Sequence, residues 1–325
     1  MNDLCISIIT ADKRLVLDCL KSIHETLPAG LRVEIYVIVN EPLSSLDIKH
    51  SILDRFPSTK VMLNREEMGF TRNHNQVMRV CDSKYILLLN DDTIVLRGAL
   101  SGMIDYMERH PEAGILGCRI LNPDMTPQWS CGRSSSHAWE HLRSGVLRVL
   151  LSPLIRDWFP ADTQEVTWVT GACLMARSKA VRDAGLLDEN IFMYFDDGDW
   201  CYRMIRSGWK VVYYHDAEII HYRSQTSKKR MARTTLYYYQ SRLYFFSKYY
   251  GPPVCLAVRA MTVADALLGY VKTFVLMRRS PQKREILAAF IRAAGIALSH
   301  GRAADGPERA PGGDSGASLP GPGER

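Results

Sequence analysis

The first part of the chain alternates between short apolar runs and segments with helical periodicity. Apolar residues recur at intervals of three or four positions from Val16 to Leu27, which predicts an amphipathic helix over 14–27. The runs at 6–10 and 33–39 are short and rich in Ile and Val, which predicts a strand on each side of that helix. The three segments together form a βαβ unit.

The same alternation continues to about residue 214. Further strands are predicted at 60–63, 85–89, 167–175 and 210–214, and further helices at 73–81 and 99–110. Strands separated by helices predict an α/β fold with a mostly parallel sheet, helices on both faces and ligands at the carboxyl ends of the strands. Residues 127–162 lack a clear period, and we interpret them as an insertion or acceptor-side loop.

Charge is distributed unevenly. The net charge is +6, but 228–302 carries fourteen Lys and Arg against two acidic residues, so the rest of the chain is net negative. Such a segment suits nucleic acid or an anionic membrane surface. No helix-turn-helix, RNA-binding or zinc motif occurs, so nucleic acid is not an expected partner.

Within the basic segment, 254–277 is largely apolar but contains Arg259, Asp265 and Lys272. A spanning helix would bury these charges at a cost of about 2.5 to 3.5 kcal/mol each at the bilayer centre. A helix lying in the membrane interface is therefore favoured over a spanning one, and packing against the rest of the protein is the alternative. Residues 303–325 contain six Gly and four Pro and predict a disordered tail.

The eight cysteines are scattered without a Cys-x-x-Cys pair, so neither disulfides nor a structural zinc is expected. The N-terminus runs directly into a predicted strand and lacks the features of a signal peptide, so we expect a cytoplasmic protein. Neither a Walker-type phosphate loop nor a G-x-G-x-x-G turn is present, which makes a P-loop enzyme or a dehydrogenase an unlikely class.

Two acidic motifs carry candidate chemistry. Asn90, Asp91 and Asp92 follow the strand at 85–89, where oxygen side chains can bind Mg²⁺ or Mn²⁺, although an Asx turn explains the same residues. The second motif, 195–200, holds three closely spaced aspartates, one of which should have a raised pKa suited to a general base. A solvated turn before a helix is the alternative interpretation. His221, in an alternating apolar stretch, is by itself more typical of a buried structural histidine.

Taken together, the order and spacing of these motifs resemble the family 2 glycosyltransferases of GT-A fold, in particular the rhamnosyltransferase- and galactofuranosyltransferase-like branch. The resemblance covers about 6–221, with a looser match to about 251. It is carried by Glu-Met-Gly-Phe-Thr-Arg-Asn-His-Asn at 67–75, Asn-Asp-Asp at 90–92, Trp-Val-Thr-Gly-Ala at 168–172, Gly-Leu-Leu-Asp-Glu at 185–189, and Tyr-Phe-Asp-Asp-Gly-Asp at 194–199.

The resemblance also implies roles for individual residues. Asp197 is expected to be the catalytic base. The expected acceptor-binding residues are Asp196, Trp168 and Arg203. The expected donor-binding residues are Thr10, Asn40, Gly69, Phe70, Asn75 and Asp91, and the expected ligands of Mg²⁺ or Mn²⁺ are Asp92 and His221 with Asn90 nearby. Asn40 stands where the family usually has Asp, which leaves the nucleotide open.

The function implied is inverting transfer of a sugar from a nucleotide diphosphate donor to a hydroxyl of a glycan or lipid-linked glycan, in bacterial cell-surface polysaccharide synthesis. We expect a GT-A catalytic domain over 1–250, with a nucleotide-sugar half to about 120 and an acceptor half after it. A basic amphipathic helical segment at 251–302 would place the enzyme on the inner face of the membrane. A sugar nucleotidyltransferase and a non-catalytic scaffold are the alternatives. The former should carry a glycine-rich loop after the first strand, and 10–14 contains no glycine.

Overall fold

The computed structural model of the chain describes residues 2–132, 158–222 and 231–299. In these ranges the strands are β1 (Asn2–Thr10), β2 (Val33–Val39), β3 (Lys60–Leu63), β4 (Ser83–Asn90), β5 (Thr93–Val95), β6 (Ala113–Leu121), β7 (Pro127–Gln128), β8 (Cys131–Gly132), β9 (Gln164–Glu165), β10 (Trp168–Val169), β11 (Cys173–Arg177) and β12 (Lys210–His221). The helices are α1 (Lys13–Thr26), α2 (Ser45–Arg55), α3 (Phe70–Met78), α4 (Ala99–Arg109), α5 (Ser178–Ala184), α6 (Asp196–Arg206), α7 (Met231–Tyr249), α8 (Pro252–Leu276) and α9 (Pro281–Leu298).

The main sheet has the order β3-β2-β1-β4-β11-β6-β12-β5. Strands β1 to β4 pair in parallel, and so do β6 and β12, whereas β11 runs antiparallel between β4 and β6. The carboxyl ends of β1, β2, β4, β6 and β12 therefore lie at one edge of the sheet. A mostly parallel α/β sheet is the predicted fold class, and it is confirmed.

Alternation along the strands explains why helices cover both faces of the sheet. In β4, Leu87 and Leu89 pack on the side of α1, α2 and α4, whereas Ile86 and Leu88 pack on the side of α3, α5 and α6. Both sets of residues are buried, so the strand reads as a continuous apolar run, as expected for a parallel strand covered on both faces.

Several elements differ from the sequence-based expectations. The helix α2 and the strands β5 and β6 were not predicted, and α3 begins three residues earlier than the predicted 73–81. The predicted strand at 167–175 is divided into β10 and β11 by a turn at 170–172. Most of the predicted insertion at 127–162 and the predicted tail at 303–325 lie outside the described residues, but the described part of the former contains β7 and β8.

The three C-terminal helices pack on one another. Between them lies a buried ion pair, in which Nη1 of Arg242 is 2.6 Å from Oδ2 of Asp265. Within the described residues, α8 alone is long and apolar enough to cross a membrane by length and composition. Asp265 is one of the three charges that argued against a spanning helix. Because it pairs with Arg242 inside the protein, its charge no longer counts against crossing.

Candidate active site

The carboxyl ends of β4 and β12 bring together two motifs that are far apart in the chain. Strand β4 ends at Asn90, and a turn through Asp91 and Asp92 leads into β5, which pairs antiparallel with β12. In this register His221 lies opposite Thr93, and the backbone N–H after His221 donates to the carbonyl of Asp92 at 2.9 Å. Asn90 and Asp92 thus approach His221 through the turn between β4 and β5 and the pairing of β5 with β12.

His221 contacts side chains through both ring nitrogens. Nε2 lies 3.1 Å from Oδ1 of Asp92 and 3.4 Å from Nδ2 of Asn90, whereas Nδ1 lies 2.7 Å from Oε1 of Gln128. An imidazole nitrogen facing a carboxylate oxygen fits a divalent cation that accepts mixed nitrogen and oxygen ligands, as Mn²⁺ does. No cluster of three His, Cys, Asp or Glu side chains suited to a metal occurs in the described part of the chain.

The neighbouring Asp91 points towards the end of β1. Its Oδ2 accepts a hydrogen bond from Oγ1 of Thr10 at 2.7 Å. Burial raises the pKa of Asp91 to about 7, against the opposing effect of this hydrogen bond. Asp91 and Asp92 line a cleft of about 280 Å³, whose opposite wall includes Asp12 and Arg14 at the start of α1.

A second cleft, of about 540 Å³, continues along α1 towards α2. It is lined by polar and charged side chains that include Lys13, Arg14, Ser44 and Asp47. Arg14 and Asp12 belong to both clefts. The two clefts therefore adjoin at the first turn of α1.

Asn40 and Asn75 use their amides within the protein. Asn40 accepts from the backbone N–H of Met68 at 2.9 Å and donates to the carbonyl of the same residue at 2.9 Å. Asn75 is fully buried and exchanges two hydrogen bonds with the backbone of Leu187. The geometry thus gives both amides a structural contact, and their predicted donor binding stays a prediction.

The segment 69–70 is held against the loop that precedes the second acidic motif. The backbone N–H of Phe70 donates to the carbonyl of Phe192 at 2.8 Å. A Cβ at Gly69 would lie 2.5 Å from that carbonyl oxygen, so only glycine permits this approach. Gly69 and Phe70 are therefore placed beside the loop that precedes α6 as well as at the start of α3.

The second acidic motif begins at two residues with unusual backbone angles. Tyr194 and Phe195 have φ values of 66° and 63°, in the left-handed region that bulky residues rarely adopt. Helix α6 begins directly after them, so Asp196 and Asp197 occupy its first turn, where the helix dipole favours negative charge. Backbone strain next to a cluster of carboxylates is typical of a functional site.

The pKa values of Asp196 and Asp197 are shifted by different contacts. Burial, followed by the adjacent Asp197 carboxylate, raises the pKa of Asp196 well above its usual range. Burial also raises the pKa of Asp197, but backbone hydrogen bonds from Gly171 and Gly198 act in the opposite direction. The hydrogen bonds from Gly171 and Gly198 thus favour the ionised form of Asp197, whereas burial and the neighbouring carboxylate favour the protonated form of Asp196.

The turn between β10 and β11 links the two acidic motifs. The backbone N–H of Gly171 donates to Oδ2 of Asp197 at 3.1 Å, and the carbonyl of Ala172 accepts from the N–H of Asn90 at 3.0 Å. Adjacent residues of one turn thus contact the residue predicted as the base and the strand end that leads to the predicted metal ligands. The ring of Phe70 packs against Gly171, where a Cβ would lie 2.9 Å from its Cζ.

Trp168 and Arg203, both predicted to bind acceptor, occupy largely enclosed positions. The indole of Trp168 is buried and packs edge-to-face on Trp129. The guanidinium of Arg203 donates to Oδ2 of Asp199 at 2.8 Å and to the carbonyl of Ala184 at 2.6 Å. Both side chains have internal contacts here, and their acceptor binding stays a prediction.

Three residues at the site were not identified from the sequence. Gln128 lies in the stretch interpreted as an irregular loop, where no motif indicated its contact with His221. Arg14 stands in the first turn of α1, and its position beside a predicted nucleotide site was the available signal. Gly171 belongs to a motif that was recognised, but its N–H contact with Asp197 depends on a fold that spacing does not show.

Comparisons with known proteins identify the family of the chain. The sequence profile described as "Glycosyltransferase like family 2" matches residues 6–239. The chain is 28% identical over 173 residues to the N-acetylglucosaminyl-diphospho-decaprenol L-rhamnosyltransferase of Mycobacterium tuberculosis, a match that covers 50% of the chain and 55% of that relative. It is 24% identical over 188 residues to the rhamnosyltransferase WbbL of Escherichia coli, which covers 55% of the chain and 70% of WbbL. The matched region thus spans about half the length of the mycobacterial relative.

Solved structures show a similar fold at low sequence identity. The mannosyltransferase PcManGT from Pyrobaculum calidifontis, in complex with GDP-Man and Mn²⁺, has a TM-score of 0.53 and 14% identity, covering 92% of this chain and 89% of that chain. GalNAc-T7 with UDP, GalNAc and Mn²⁺ has a TM-score of 0.55 and 10% identity, covering 90% and 55%. The predicted GT-A fold is confirmed by these likenesses.

Proposed function

Because the chain belongs to glycosyltransferase family 2, we propose that it is a metal-dependent inverting glycosyltransferase with Asp197 as its catalytic base. The observation that carries the proposal is the turn at 171–172, which contacts Asp197 on one side and the end of β4 on the other. A base for the acceptor and a binding site for the donor diphosphate must lie on opposite sides of the reacting sugar carbon. The first acidic motif, at the end of β4, and the second, at the start of α6, contact the same short turn at 171–172, which fits this requirement.

The donor is a nucleotide diphosphate sugar that lies along the two clefts at the start of α1. Arg14 lines the cleft beside Asp91 and Asp92 and supplies positive charge there, whereas Lys13, which pairs with Asp47 at 3.1 Å, lines the neighbouring cleft. Thr10 holds Asp91 by a hydrogen bond and so keeps the floor of the cleft in place.

Asp92 and His221 are the residues that would hold Mg²⁺ or Mn²⁺, with Asn90 beside them. Their atoms fit such a cation, because the Nε2 of His221 already faces a carboxylate oxygen. When bound, the cation neutralises the negative charge that develops on the departing nucleotide diphosphate. The remaining work of this part of the site is positioning, which the antiparallel register of β5 and β12 provides.

Asp197 removes the proton from the attacking hydroxyl of the acceptor. Its Oδ2 and Oδ1 already accept hydrogen bonds from Gly171 and Gly198, which orient the carboxylate and stabilise its ionised form. Attack from the side opposite the leaving diphosphate inverts the configuration at the sugar carbon. Asp196, next to it and more readily protonated, is placed to orient the acceptor.

The acceptor that we propose is a lipid-linked glycan. The mycobacterial relative is named for transfer to a decaprenyl-diphosphate-linked sugar, and a lipid-linked acceptor requires the enzyme to reach a membrane. Helix α7 packs against the loop before Asp196 through Tyr237, which stacks on Phe192 with ring centroids 4.2 Å apart. The acceptor side of the site is therefore built partly from the C-terminal helices.

Helix α8 presents an apolar surface suited to a bilayer. Except for the two prolines at its start and Leu276 at its end, the exposed apolar residues of α8 are spaced by one, three, four or seven positions, so they form one arc along the helix. They are Leu256, Ala257, Ala260, Leu267, Leu268, Val271, Phe274 and Val275. The turn from α8 to α9 adds Arg278 and Arg279, which complement anionic headgroups. We propose that this arc and turn bind the inner face of an anionic membrane.

Lying on the membrane fits these helices better than crossing it. Helix α9 packs along α8 and exposes Arg284, Glu285 and Arg292, so a spanning α8 would carry these charges into the bilayer with it. Arg259, at the other end, donates to the carbonyls of Ala297 and Ser299 and ties the two helices together. A surface position leaves the charges in water while the arc of α8 is buried.

The test is to incubate the full chain with a panel of nucleotide sugars, Mn²⁺ and a polyprenyl-diphosphate-linked sugar, and to measure release of nucleotide diphosphate. One donor should give turnover that requires the acceptor and stops in excess chelator. Release of pyrophosphate, or the absence of any product across a panel that covers uridine, guanosine and thymidine donors, would contradict the proposed reaction. Nuclear magnetic resonance of the product identifies the configuration of the new bond.

A further inference from the structure

We propose that Gln128 is a positioning residue that fixes the tautomer of His221, so that Nε2 keeps a free lone pair directed at Asp92. This inference deepens the proposed function, because it rests on the role of His221 as a metal ligand. It concerns a residue in a stretch that carries no recognised motif. In each side-chain amide the nitrogen donates and the oxygen accepts, so the orientation of the amide decides which atom faces His221.

The short hairpin before Gln128 determines the orientation of its amide. Strand β7 pairs with β6, and the hairpin between them is closed by hydrogen bonds between the backbones of Asn122 and Thr126. Nδ2 of Asn122 points at the carbonyl of Pro127 at 3.4 Å, an atom that can only accept. Oδ1 of Asn122 must then face Gln128, whose Nε2 lies 2.9 Å away.

A second contact gives the same orientation independently. Nε2 of Gln128 lies 3.2 Å from the backbone carbonyl of His221, which again can only accept a hydrogen bond. Both neighbours therefore require the amide nitrogen on this side. The oxygen Oε1 is left to face the imidazole, at 2.7 Å from Nδ1.

The tautomer of His221 follows from this arrangement. Because Oε1 of Gln128 has no hydrogen to give, Nδ1 of His221 must carry the proton and donate it. In the neutral ring Nε2 then has only a lone pair. It faces Oδ1 of Asp92 at 3.1 Å and Nδ2 of Asn90 at 3.4 Å, so it can accept from the amide but repels the carboxylate unless a cation lies between them.

Burial makes this control effective. The side chain of Gln128 is 7% exposed and contacts both the ring and the backbone of the same histidine. Rotation of the ring would leave the amide of Gln128 without its partner in a site where water is largely excluded. Partners of this kind around a metal-binding histidine typically change metal affinity by roughly 10- to 100-fold when removed.

The tautomer can be determined directly in the metal-free full chain. Long-range ¹H–¹⁵N correlation spectra at pH 8.5, where an ordinary imidazole is neutral, distinguish a protonated Nδ1 from a protonated Nε2. The His221 signals are assigned from their loss in His221→Asn. We expect wild-type His221 to carry its proton on Nδ1. A proton on Nε2 in the wild type would overturn the proposal without any variant of Gln128.

Two substitutions and a control test the cause. Gln128→Leu removes the acceptor and should shift His221 towards protonated Nε2, whereas Gln128→Glu keeps an oxygen opposite Nδ1 and should preserve the wild-type tautomer. Gln164→Leu makes the same change in β9, away from His221, and should leave the tautomer of His221 unchanged. An unchanged tautomer in Gln128→Leu, or a switched one in Gln128→Glu, contradicts the proposal.

Titration with Mn²⁺ alone, followed by the electron paramagnetic resonance of the free ion, separates this inference from the proposed function. We expect Gln128→Leu to bind Mn²⁺ roughly 10- to 100-fold more weakly than the wild type and Gln164→Leu to bind it equally well. Equal affinity in Gln128→Leu and the wild type would contradict the positioning role. Failure of the wild type to bind Mn²⁺, with its proton on Nδ1, would instead contradict the metal site and leave the tautomer assignment standing.

Discussion

The backbone N–H of Gly171 donates to Oδ2 of Asp197 at 3.1 Å, so the predicted base is held by a turn between two strands as well as by its own helix. This contact favours the ionised carboxylate, whereas burial raises the pKa of the same group. The balance between them sets the pH at which Asp197 can accept a proton. It also distinguishes Asp197 from Asp196, which lacks this support from Gly171.

The pH dependence of kcat/KM should report Asp197. A base with a raised pKa is lost as the pH falls, so we expect activity to decline on the acid side with a midpoint above the usual aspartate value of about 3.9. The measurement is kcat/KM from pH 4.5 to 8 at saturating Mn²⁺. Asp196→Asn should keep this limb and most of the turnover, because burial and the neighbouring Asp197 carboxylate raise the pKa of Asp196 and favour its neutral form, which Asn resembles. Loss of the limb in Asp196→Asn would identify Asp196 as the base.

A second prediction concerns the ion pair between α6 and α7. Nζ of Lys248 lies 2.6 Å from Oδ1 of the fully buried Asp199 and 2.7 Å from Oδ2 of Asp188. Lys248→Met should lower the free energy of unfolding by about 1 to 3 kcal/mol, because Asp199 keeps only Arg203 and Tyr249 as partners. Urea unfolding measures the effect.

Lys210→Met is the matched control for Lys248→Met. Lys210 pairs with Glu165 at 3.7 Å, and both side chains are about half exposed or more. An exposed pair of this kind contributes about 0 to 1 kcal/mol. Equal losses of stability in the two variants would show that the contact between α6 and α7 contributes no more than a surface pair.

The membrane surface of α8 gives a third prediction. Val271→Asp places a charge in the exposed apolar arc and should weaken binding to vesicles of phosphatidylglycerol and phosphatidylcholine roughly tenfold or more. Val80→Asp is the control, since Val80 is 58% exposed, close to the 55% of Val271, but follows α3. Co-sedimentation measures both. Equal binding by Val271→Asp and Val80→Asp would exclude the arc as the contact surface.

The electrostatic part of the same surface can be tested separately. Arg278→Ser with Arg279→Ser should lower the affinity for anionic vesicles by about 2 kcal/mol, or roughly thirtyfold, at about 1 kcal/mol for each basic residue. Affinity for vesicles of phosphatidylcholine alone should not change. An equally large loss of affinity for neutral vesicles would indicate damage to the helices instead of a lost headgroup contact.

The sequence predicted the fold class and the two acidic motifs because both depend on local pattern. Strand β4 is a continuous apolar run, and α1 has one apolar stripe. Strand β6 was missed because it follows Pro111 and a short turn, and helix α2 was missed because its periodicity is weak. The left-handed backbone at Tyr194 and Phe195 could not be predicted, since neither residue favours it and packing against α7 supports it.

Long-range relations at the site required the structure. Spacing placed Asp92 and His221 in separate motifs, and only the antiparallel register of β5 and β12 brings them within 3.1 Å. The same holds for Gln128, which β7 places beside His221, and for Asp265, whose partner Arg242 lies on another helix. An isolated charge in an apolar run gives no sign of whether it is paired elsewhere in the chain.

Asp92→Asn provides the contrast by which the role of Asp197 is judged. Replacing the Asp92 carboxylate removes the charge that faces Nε2 of His221, so binding of Mn²⁺ and of the donor should weaken together. Asp197 lies on the other side of the turn at 171–172, so its substitution should leave donor binding intact. The two variants should therefore differ in kind.

The most direct test of the account measures donor affinity by calorimetry beside initial rates for Asp197→Asn and Asp92→Asn. Asp197→Asn preserves the size of the side chain but removes the basic carboxylate, so turnover should fall by roughly 10² to 10⁴ while donor and Mn²⁺ still bind. Thermal unfolding controls for the hydrogen bonds from Gly171 and Gly198. Near-normal turnover by Asp197→Asn, with donor binding intact, would contradict the assignment of Asp197 as the base.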